Sequence, residues 1–293
     1  MTSHITKENY IYYPGCSLTG TAKEYDLSVR ALMARLGADL IEIEDWTCCG
    51  ATAAQAVDSS IALALAARNL ALAEKTKVPD ADGTSDILVP CSACYLNLKT
   101  AQDDLERDKV LKAEANRVLA AEDLSVGLDV GAHPGIRHLL DVLSGDVNWD
   151  SALFSVSMEG LVVAPYYGCQ CLRPFRVFDD PEDPHSMDAM IRATGARVLD
   201  WDMGGQCCGA SNTTTKPESG RVLVDNILAA AMDAHCIVTV CPMCQMNLET
   251  CGNRDNRVPI LYLPQFLGLA IGIAREDLGL GLNLTDNKEL ARR

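Results

Sequence analysis

The sequence predicts an α/β protein made of two similar Rossmann-like α/β halves related by internal duplication. Two observations support this: cysteines recur in the same order in both halves, and short apolar strand-like segments alternate with helical segments rich in Ala and Leu. A chain of 293 residues also exceeds the usual size of one core. We therefore predict two domains, residues 1–155 and 156–293.

The duplication is visible in ten cysteines that form two matched sets. The first cysteine group is Cys16, Cys48, Cys49, Cys91 and Cys94, and the second cysteine group is Cys169, Cys207, Cys208, Cys241 and Cys244. Flanking residues match as well: Tyr13-Pro14-Gly15 with Tyr166-Tyr167-Gly168, Gly50-Ala51 with Gly209-Ala210, and Asn97-Leu98 with Asn247-Leu248. A nearly constant offset, between 150 and 159 residues for the cysteines, indicates an internal repeat.

Each cysteine motif follows a predicted strand. In the first half, strands are predicted at residues 10–13, 39–43 and 87–90, and helices at 24–36, at 53–75 and from Cys91 onward. A helix over 133–143 closes this half. The second half repeats the pattern with strands at 161–164, 197–201 and 237–240. Because ligands of parallel α/β sheets gather beyond the carboxyl ends of the strands, we expect each cysteine group to converge there.

Composition limits the classes of function. The net charge of −15 and the pI of about 4.7 disfavour nucleic acid as a partner, since an acidic surface repels a phosphate backbone. The start of the chain has no apolar signal core, and no apolar run reaches the length of a membrane span. We therefore expect a cytoplasmic protein without direct membrane insertion. Thirteen cysteines in a reducing compartment then require an explanation other than disulfides.

Five cysteines including an adjacent pair favour iron–sulfur chemistry over zinc. A structural zinc ion takes four tetrahedral ligands, so a fifth thiol is surplus, and two neighbouring side chains reach two irons of an extended cluster more easily than two vertices of one ion. Zinc is the first alternative, because a C-x-x-C pair by itself suits a zinc ion. A redox disulfide between Cys48 and Cys49 is a third alternative, which leaves three cysteines without a role.

The repeated order of one Cys, then Cys-Cys-Gly, then C-x-x-C resembles the duplicated CCG domain of the heterodisulfide reductase B-subunit family. The resemblance extends over nearly the whole chain and includes Tyr166-Tyr167-Gly168-Cys169 and Arg173-Pro174. The stretch between Cys49 and Cys91 is longer than the spacing associated with this family, which predicts a loop insertion around residues 79–85. The resemblance implies one non-cubane [4Fe-4S] cluster on each five-cysteine group, with a disulfide substrate cleaved between the two clusters.

The same resemblance implies an oxidoreductase acting on sulfur groups, as the catalytic component that makes or breaks a disulfide or persulfide bond of a thiol substrate. It also implies partners from the same type of complex: a ferredoxin-like iron–sulfur protein (the C-type component) and a flavoprotein (the A-type component). The sequence itself has no C-x2-C-x2-C-x3-C ferredoxin run, and Gly279-x-Gly281 does not make a dinucleotide loop. The alternative is an electron-transfer subunit of another dehydrogenase or of a sulfur-oxidation complex, with no disulfide reductase activity of its own.

Several other residues are candidates for roles near the clusters. Arg173 and His185 are the candidate catalytic side chains, beside Arg137, Arg176, His133 and His138. Arginine binds anionic substrates or tunes a cluster potential, but a salt bridge is the alternative for each. We expect His133 and His138 on a helix surface. Of the other cysteines, Cys236 reads as a core thiol, Cys251 has no assigned role, and Cys171 is either an extra ligand, a reactive thiol or a side chain that points away.

Overall fold

A computed structural model of the chain describes residues 4–79, 85–127, 134–213, 215–252, 258–285 and 290. Its strands are β1 (Asn9–Tyr12), β2 (Asp39–Glu42), β3 (Ile87–Val89), β4 (Ile136–His138), β5 (Val162–Tyr166), β6 (Arg197–Val198), β7 (Cys236–Thr239) and β8 (Ile260–Tyr262). They form two four-stranded parallel sheets, ordered β2-β1-β3-β4 and β6-β5-β7-β8. The identical order confirms the α/β class and the duplication.

Helices connect these strands in both halves. The first half has α1 (Gly15–Thr19), α2 (Lys23–Leu36), α3 (Ala53–Val57), α4 (Ser59–Lys75), α5 (Ser92–Arg107), α6 (Lys109–Leu119) and α7 (Leu139–Gly145). The second half has α8 (Asp188–Ala193), α9 (Pro217–Ala230), α10 (Pro242–Cys251) and α11 (Leu263–Ile271). Single 3-10 turns lie at Ala120–Glu122, Ser151–Leu153, Ala210–Asn212 and Leu280–Leu282.

Local sequence explains where these elements begin and end. The run Ile87–Val89 is buried at every position, as expected of a strand covered on both faces. Helix α2 ends at Gly37, whose φ of 93° is accessible to glycine with little strain. Pro242 occupies the first turn of α10, where its missing N–H leaves no bond unmade. The C-x-x-C motifs therefore lie where a buried strand meets the first turn of a helix.

The structure corrects three sequence-based predictions. The predicted helix at 53–75 is two helices, because the Asp58 carboxylate caps a new helix by accepting the Ser60 N–H at 2.8 Å. The predicted helix at 133–143 is wrong over residues 136–138, which pair with β3 as a fourth parallel strand. The helical spacing holds only from Leu139 onward, and His133 lies outside the described residues. The predicted strand at 197–201 ends at Val198.

The two halves pack against each other through one continuous hydrophobic core. Helix α2 of the first half lies against α11 of the second half. At this junction the rings of Tyr25 and Tyr262 stack with centroids 4.0 Å apart and planes 4° apart. Both rings are at most 1% exposed. The junction is therefore a close-packed interior, and it lies at the carboxyl ends of the strands that carry the cysteines.

Candidate metal centre

The first cysteine group comes together from three strand ends. Cys16 lies in α1 after β1, the adjacent pair lies in the loop after β2, and Cys91 and Cys94 begin α5 after β3. The Sγ atoms of Cys16 and Cys48 are 3.9 Å apart, and those of Cys49 and Cys94 are 3.3 Å apart. Side-chain contacts also join Cys48 to Cys49 and Cys91 to Cys94. All five sulfurs of the group therefore form one connected set.

The second cysteine group has the same arrangement. The Sγ atoms of Cys208 and Cys244 are 3.5 Å apart, which matches the contact between Cys49 and Cys94. Side-chain contacts join Cys169 to Cys207 and Cys241 to Cys244. The structure thus gathers all ten sequence-selected cysteines into the two sets that the repeat defines.

Each group has a buried base and an accessible edge. In the first group Cys49, Cys91 and Cys94 are buried, and in the second Cys208, Cys241 and Cys244 are buried. The other members are more accessible: Cys16, Cys48 and Cys207 are exposed, and Cys169 is half-buried. A cofactor bound to these sulfurs would therefore be held by buried thiols on one side and would be accessible to solvent on the other.

Neighbouring thiols stabilise thiolates within the groups. Hydrogen bonds from Cys48 and from Cys94 lower the pKa of Cys49 to about 4. A hydrogen bond from Cys169 lowers the pKa of Cys207 to about 6, and one from Cys244 lowers the pKa of Cys208 to about 7. The same contacts raise the pKa of the partner thiols Cys94, Cys169 and Cys244, so each hydrogen-bonded pair combines a thiolate with a thiol. Thiolates are the metal-binding form of cysteine.

A glycine beside each group leaves room for a sulfur. A Cβ added to Gly15 would lie 2.8 Å from Cys94 Sγ, and one added to Gly168 would lie 2.9 Å from Cys244 Sγ. Both glycines have positive φ, 73° and 69°. No other residue satisfies both conditions, which explains why a glycine precedes Cys16 and Cys169 in both halves.

The glycine after each cysteine pair has a different neighbour. Gly50 and Gly209 have φ of 84° and 76°, as the sequence suggested. Their close contacts are with the following helices, because added Cβ atoms would lie 2.9 Å from Ala62 Cα and 3.0 Å from Gly220 Cα. These glycines therefore let the pair-bearing loop pack on a helix. Their backbone also approaches the sulfurs, because the Gly50 N–H donates to Cys48 Sγ at 3.5 Å and the Gly209 N–H donates to Cys207 Sγ at 3.3 Å.

Two pairs of side chains that the sequence analysis did not select hold the cysteine-pair loops. The Tyr13 hydroxyl donates to Thr47 O at 2.6 Å, and the Tyr166 hydroxyl donates to Gln206 O at 2.7 Å. These carbonyls directly precede the two cysteine pairs. The Asn97 amide likewise donates to Cys49 O and the Asn247 amide to Cys208 O. All four residues belong to the repeated flanking sequence, which was the signal that could have identified them.

The donor set fits an iron–sulfur cluster by its chemistry and its number. Sulfur–sulfur distances of 3.3–3.9 Å also occur around one tetrahedral ion, so five thiols instead of four carry the distinction. Among the residues that the structure describes, no group of three or more His, Cys, Asp or Glu side chains is arranged to hold a metal ion. The sulfurs instead contact one another in pairs, beside the glycine spaces described above.

The three other cysteines are not among the five thiols of either group. Cys171 is 1% exposed, and its thiol donates to Tyr167 O at 3.3 Å. Burial raises its pKa, so it is a protonated thiol, unlike Cys207 and Cys208. Cys236 is a fully buried thiol of β7, as the sequence suggested, and Cys251 ends α10 half-buried.

The candidate arginines are engaged in ion pairs. Arg137 bonds Asp141 at 2.8 Å and Asp146 at 2.6 Å. Arg176 pairs with Asp180 on the surface. The Arg173 guanidinium donates to Gly205 O at 2.9 Å and to Glu182, so it ties a surface loop to the segment leading to Cys207.

The histidines also differ from expectation. The prediction of a surface helix position for His138 is wrong: it ends β4 and is fully buried. Burial lowers its pKa to about 3, so the ring is neutral. His185 is 64% exposed at the side chain and contacts Asp183 and Asp188 at 3.1 Å each.

Two cavities adjoin the second half. His185 lines an acidic cleft of about 610 Å³ that also contains Asp200 and Asp202. A cavity of about 50 Å³ is lined by the second cysteine group together with Ser92 of the first half and Tyr167. Tyr167 borders both cavities. The smaller cavity shows that Ser92, next to Cys91, reaches the second cysteine group.

These features define a class: a duplicated α/β protein with a five-thiol centre at the same sheet edge in each half. The CCG family, described as a cysteine-rich domain, matches residues 10–99 and 163–249. Proteins similar to this chain include the B subunits of the CoB-CoM heterodisulfide reductases of Methanosarcina mazei (29% identity, 94% of this chain and 93% of the other) and Methanosarcina acetivorans (27%, 94% of each). The chain belongs to the CCG-domain family that includes the heterodisulfide reductase B subunits.

Another relative has a different name. The 8-methylmenaquinol:fumarate reductase membrane anchor subunit of Wolinella succinogenes is 35% identical over 97% of this chain and 99% of its own length. In the described part of this chain, no helix combines the length and apolar character needed to cross a membrane. A crystal structure of a hypothetical protein from Helicobacter pylori shares the fold with a TM-score of 0.75 and 16% identity. It matches 98% of this chain, which spans 54% of that longer protein.

Proposed function

We propose that this chain is an iron–sulfur subunit of a multi-subunit oxidoreductase, with one cluster on each cysteine group. The observation that carries the proposal is the convergence of five thiols at the same sheet edge in each half. Three thiols of each group are buried, and the contact between Cys49 and Cys94 is repeated by Cys208 and Cys244. A [4Fe-4S] cluster supplies one-electron transfer, and its potential depends on its ligands and its exposure. The ten cysteines would be the ligands, and the fifth thiol of each group is the reason for proposing the non-cubane type.

Within such a complex, electron transfer is the role that the geometry supports best. Between the two C-x-x-C motifs the structure has buried side chains, among them Tyr25 and Ser92. The relative at 35% identity is named as part of a quinol:fumarate reductase. A ferredoxin-like iron–sulfur protein and a flavoprotein are the electron-exchange partners that we propose.

The second candidate is disulfide chemistry, favoured by the relatives named as B subunits of heterodisulfide reductases and by the exposed edges at Cys16, Cys48 and Cys207. The reaction would break one S–S bond, consume two electrons from the partner subunits and two protons from solvent, and release two thiols. Two centres that each pass one electron suit this stoichiometry. A disulfide would have to reach an exposed edge instead of the packed junction.

Metal analysis tests the cofactor proposal. The anaerobically purified chain should contain about eight iron and eight sulfide, and Cys49→Ser or Cys208→Ser should each leave about half. Cys251→Ser is the matched control, because this thiol lies outside both groups, and it should keep the full content. Zinc in place of iron, or a wild-type content of one cluster, would overturn the proposal of two clusters.

Titration with the heterodisulfide of coenzyme M and coenzyme B separates the two candidate roles. Under electron transfer alone, the EPR spectrum of the oxidised chain should not change on addition of the disulfide. A new paramagnetic species that appears in proportion to the disulfide would establish the second candidate instead.

The cytoplasmic location belongs to the proposal as well, and cell fractionation tests it: recovery of the chain only with detergent would contradict it.

A further inference from the structure

A buried tyrosine connects the backbones that carry the two C-x-x-C motifs. The Tyr25 hydroxyl is 3.1 Å from Pro90 O and 3.0 Å from Val240 O. Pro90 directly precedes Cys91, and Val240 directly precedes Cys241. Tyr25 is fully buried, so its hydroxyl has no exposure to bulk water. One phenol is thus shared between the two strand ends from which the metal-binding helices α5 and α10 begin.

A second link lies beside the first. Ser92 Oγ is 3.3 Å from Val240 O and 3.2 Å from His138 Nε2. The Leu140 N–H donates to His138 Nδ1, so the neutral ring carries its proton on Nε2, which contacts Ser92 Oγ and the Pro90 backbone. The serine hydroxyl donates to Val240 O and also contacts the Cys171 thiol. This link also joins the first half, next to Cys91, to the residue before Cys241.

Aromatic rings from both halves hold these groups in place. Tyr25 stacks on Tyr262 of the second half. His138 lies edge-on to Tyr95 at 5.4 Å and parallel to Phe178 of the second half, at 6.2 Å and 8°. Close-packed rings leave the hydroxyl and the imidazole little freedom to reorient. The two links therefore have defined geometry.

The links are not part of the duplicated pattern. Cys16 and Cys169 are 153 residues apart. The same offset places Phe178, which has no hydroxyl, at the position equivalent to Tyr25. Cys91 and Cys241 are 150 residues apart. The same offset places Pro242, which has neither a hydroxyl nor an N–H, at the position equivalent to Ser92. A polar group needed by each five-thiol site would recur in both halves, as Tyr13 and Tyr166 do. Tyr25 and Ser92 occur once, which is expected of a component that acts between the sites.

We propose that Tyr25, supported by the Ser92–His138 pair, fixes the second cysteine group relative to the first and thereby sets the electronic coupling between the two clusters. The inference rests on the proposed function, since coupling requires two clusters. Tyr25 is a positioning residue: it acts through the backbone carbonyls of Pro90 and Val240, not through a cluster atom. Ser92 contacts the same Val240 carbonyl and also borders the second cysteine group. Electron exchange depends on the separation and orientation of the two centres, and these hydrogen bonds join the residues that directly precede Cys91 and Cys241.

The test compares Tyr25→Phe with Tyr10→Phe in the anaerobically purified, cluster-containing chain. Tyr10 is an equally buried tyrosine whose hydroxyl binds Asp146 at 2.6 Å, a contact remote from both cysteine groups. Both variants should keep wild-type iron and sulfide contents. Only Tyr25→Phe should lose spin–spin broadening in the EPR spectrum and shift the separation between the midpoint potentials of the two clusters.

A second readout does not require clusters. In the cluster-free chain, amide hydrogen exchange of residues 91–94 and of residues 240, 241, 243 and 244 should accelerate in Tyr25→Phe and not in Tyr10→Phe. Ser92→Ala removes the second link and should change the coupling in the same direction. Wild-type coupling in both Tyr25→Phe and Ser92→Ala, with both clusters present, overturns this inference alone. A wild-type chain with one cluster or none overturns the proposed function instead.

Discussion

At the scale of single residues, the tyrosines that precede each first cysteine by three positions stabilise the cysteine-pair loops. We expect Tyr166→Phe to weaken only the second cluster and Tyr13→Phe only the first, because each hydroxyl bonds the loop of its own half. Loss of one such hydrogen bond costs about 1 kcal/mol, which corresponds to roughly fivefold faster loss of iron. The measurement is the rate of iron release to a chelator in each variant. Equal rates in wild type and both variants would contradict this role.

The glycine before each first cysteine gives a second prediction at this scale. Gly168→Ala should remove the second cluster and halve the iron content, because the new Cβ would lie 2.9 Å from Cys244 Sγ. Positive φ adds about 1–2 kcal/mol of backbone strain. Gly160→Ala is the matched control: its φ is 83°, and no atom lies within 4 Å of an added Cβ. If Gly160→Ala lost as much iron as Gly168→Ala, backbone strain would explain the loss, and the contact between the added Cβ and Cys244 Sγ would not.

At the scale of secondary-structure elements, the ion pairs of Arg137 connect β4 to the end of α7. The Arg137, Asp141 and Asp146 side chains are only 12–18% exposed, so Arg137→Ala should lower the free energy of unfolding by roughly 2–4 kcal/mol. Arg176→Ala is the control, because this exposed pair contributes at most about 1 kcal/mol. The measurement is urea denaturation of the cluster-free variants. Similar losses in both variants would contradict a structural role specific to Arg137.

The same ion pairs predict a pH dependence. Although burial raises the pKa of Asp146, hydrogen bonds from Arg137 and Tyr10 hold it below its usual value. A carboxyl with a lowered folded-state pKa stabilises the fold above its unfolded pKa, about 3.9, and this contribution is lost as the pH falls through the folded-state pKa. Arg137→Ala should therefore lose less stability than wild type on acidification below pH ~4. Parallel pH profiles would contradict this prediction.

Elements also show where sequence patterns succeed and fail. The continuous apolar run Ile87–Val89 identifies a buried strand correctly because burial on both faces leaves no polar position. The segment at 136–138 is a strand because it pairs with β3, and no local periodicity records that pairing. The residues from Leu139 onward have helical spacing, and the predicted helix was extended from them too far toward the N-terminus. His138 was misplaced for the same reason, since its burial follows from strand pairing.

At the scale of the whole molecule, we expect the chain to take its electrons from partner subunits. The full sequence has no ferredoxin cysteine run and no nucleotide-binding glycine loop. Gly279 precedes the turn Leu280–Leu282 and Gly281 lies within it, so neither glycine joins a strand to a helix. The purified two-cluster chain should therefore not oxidise NADH, with or without a disulfide. Reduced methyl viologen is the positive control and should bleach the cluster absorbance, whereas direct oxidation of NADH would show that no partner is needed.

The sequence by itself determined the duplication, the α/β class and the two sets of five cysteines, because repeated spacing and alternating apolar segments are local properties. Only the tertiary structure decided which side chains lie between the two sets. Tyr25 and Val240 are 215 positions apart in the chain, and their contact depends on how α2 and α11 pack across the junction. Contacts of that kind arise from shape and burial summed over both halves, so no single segment encodes them.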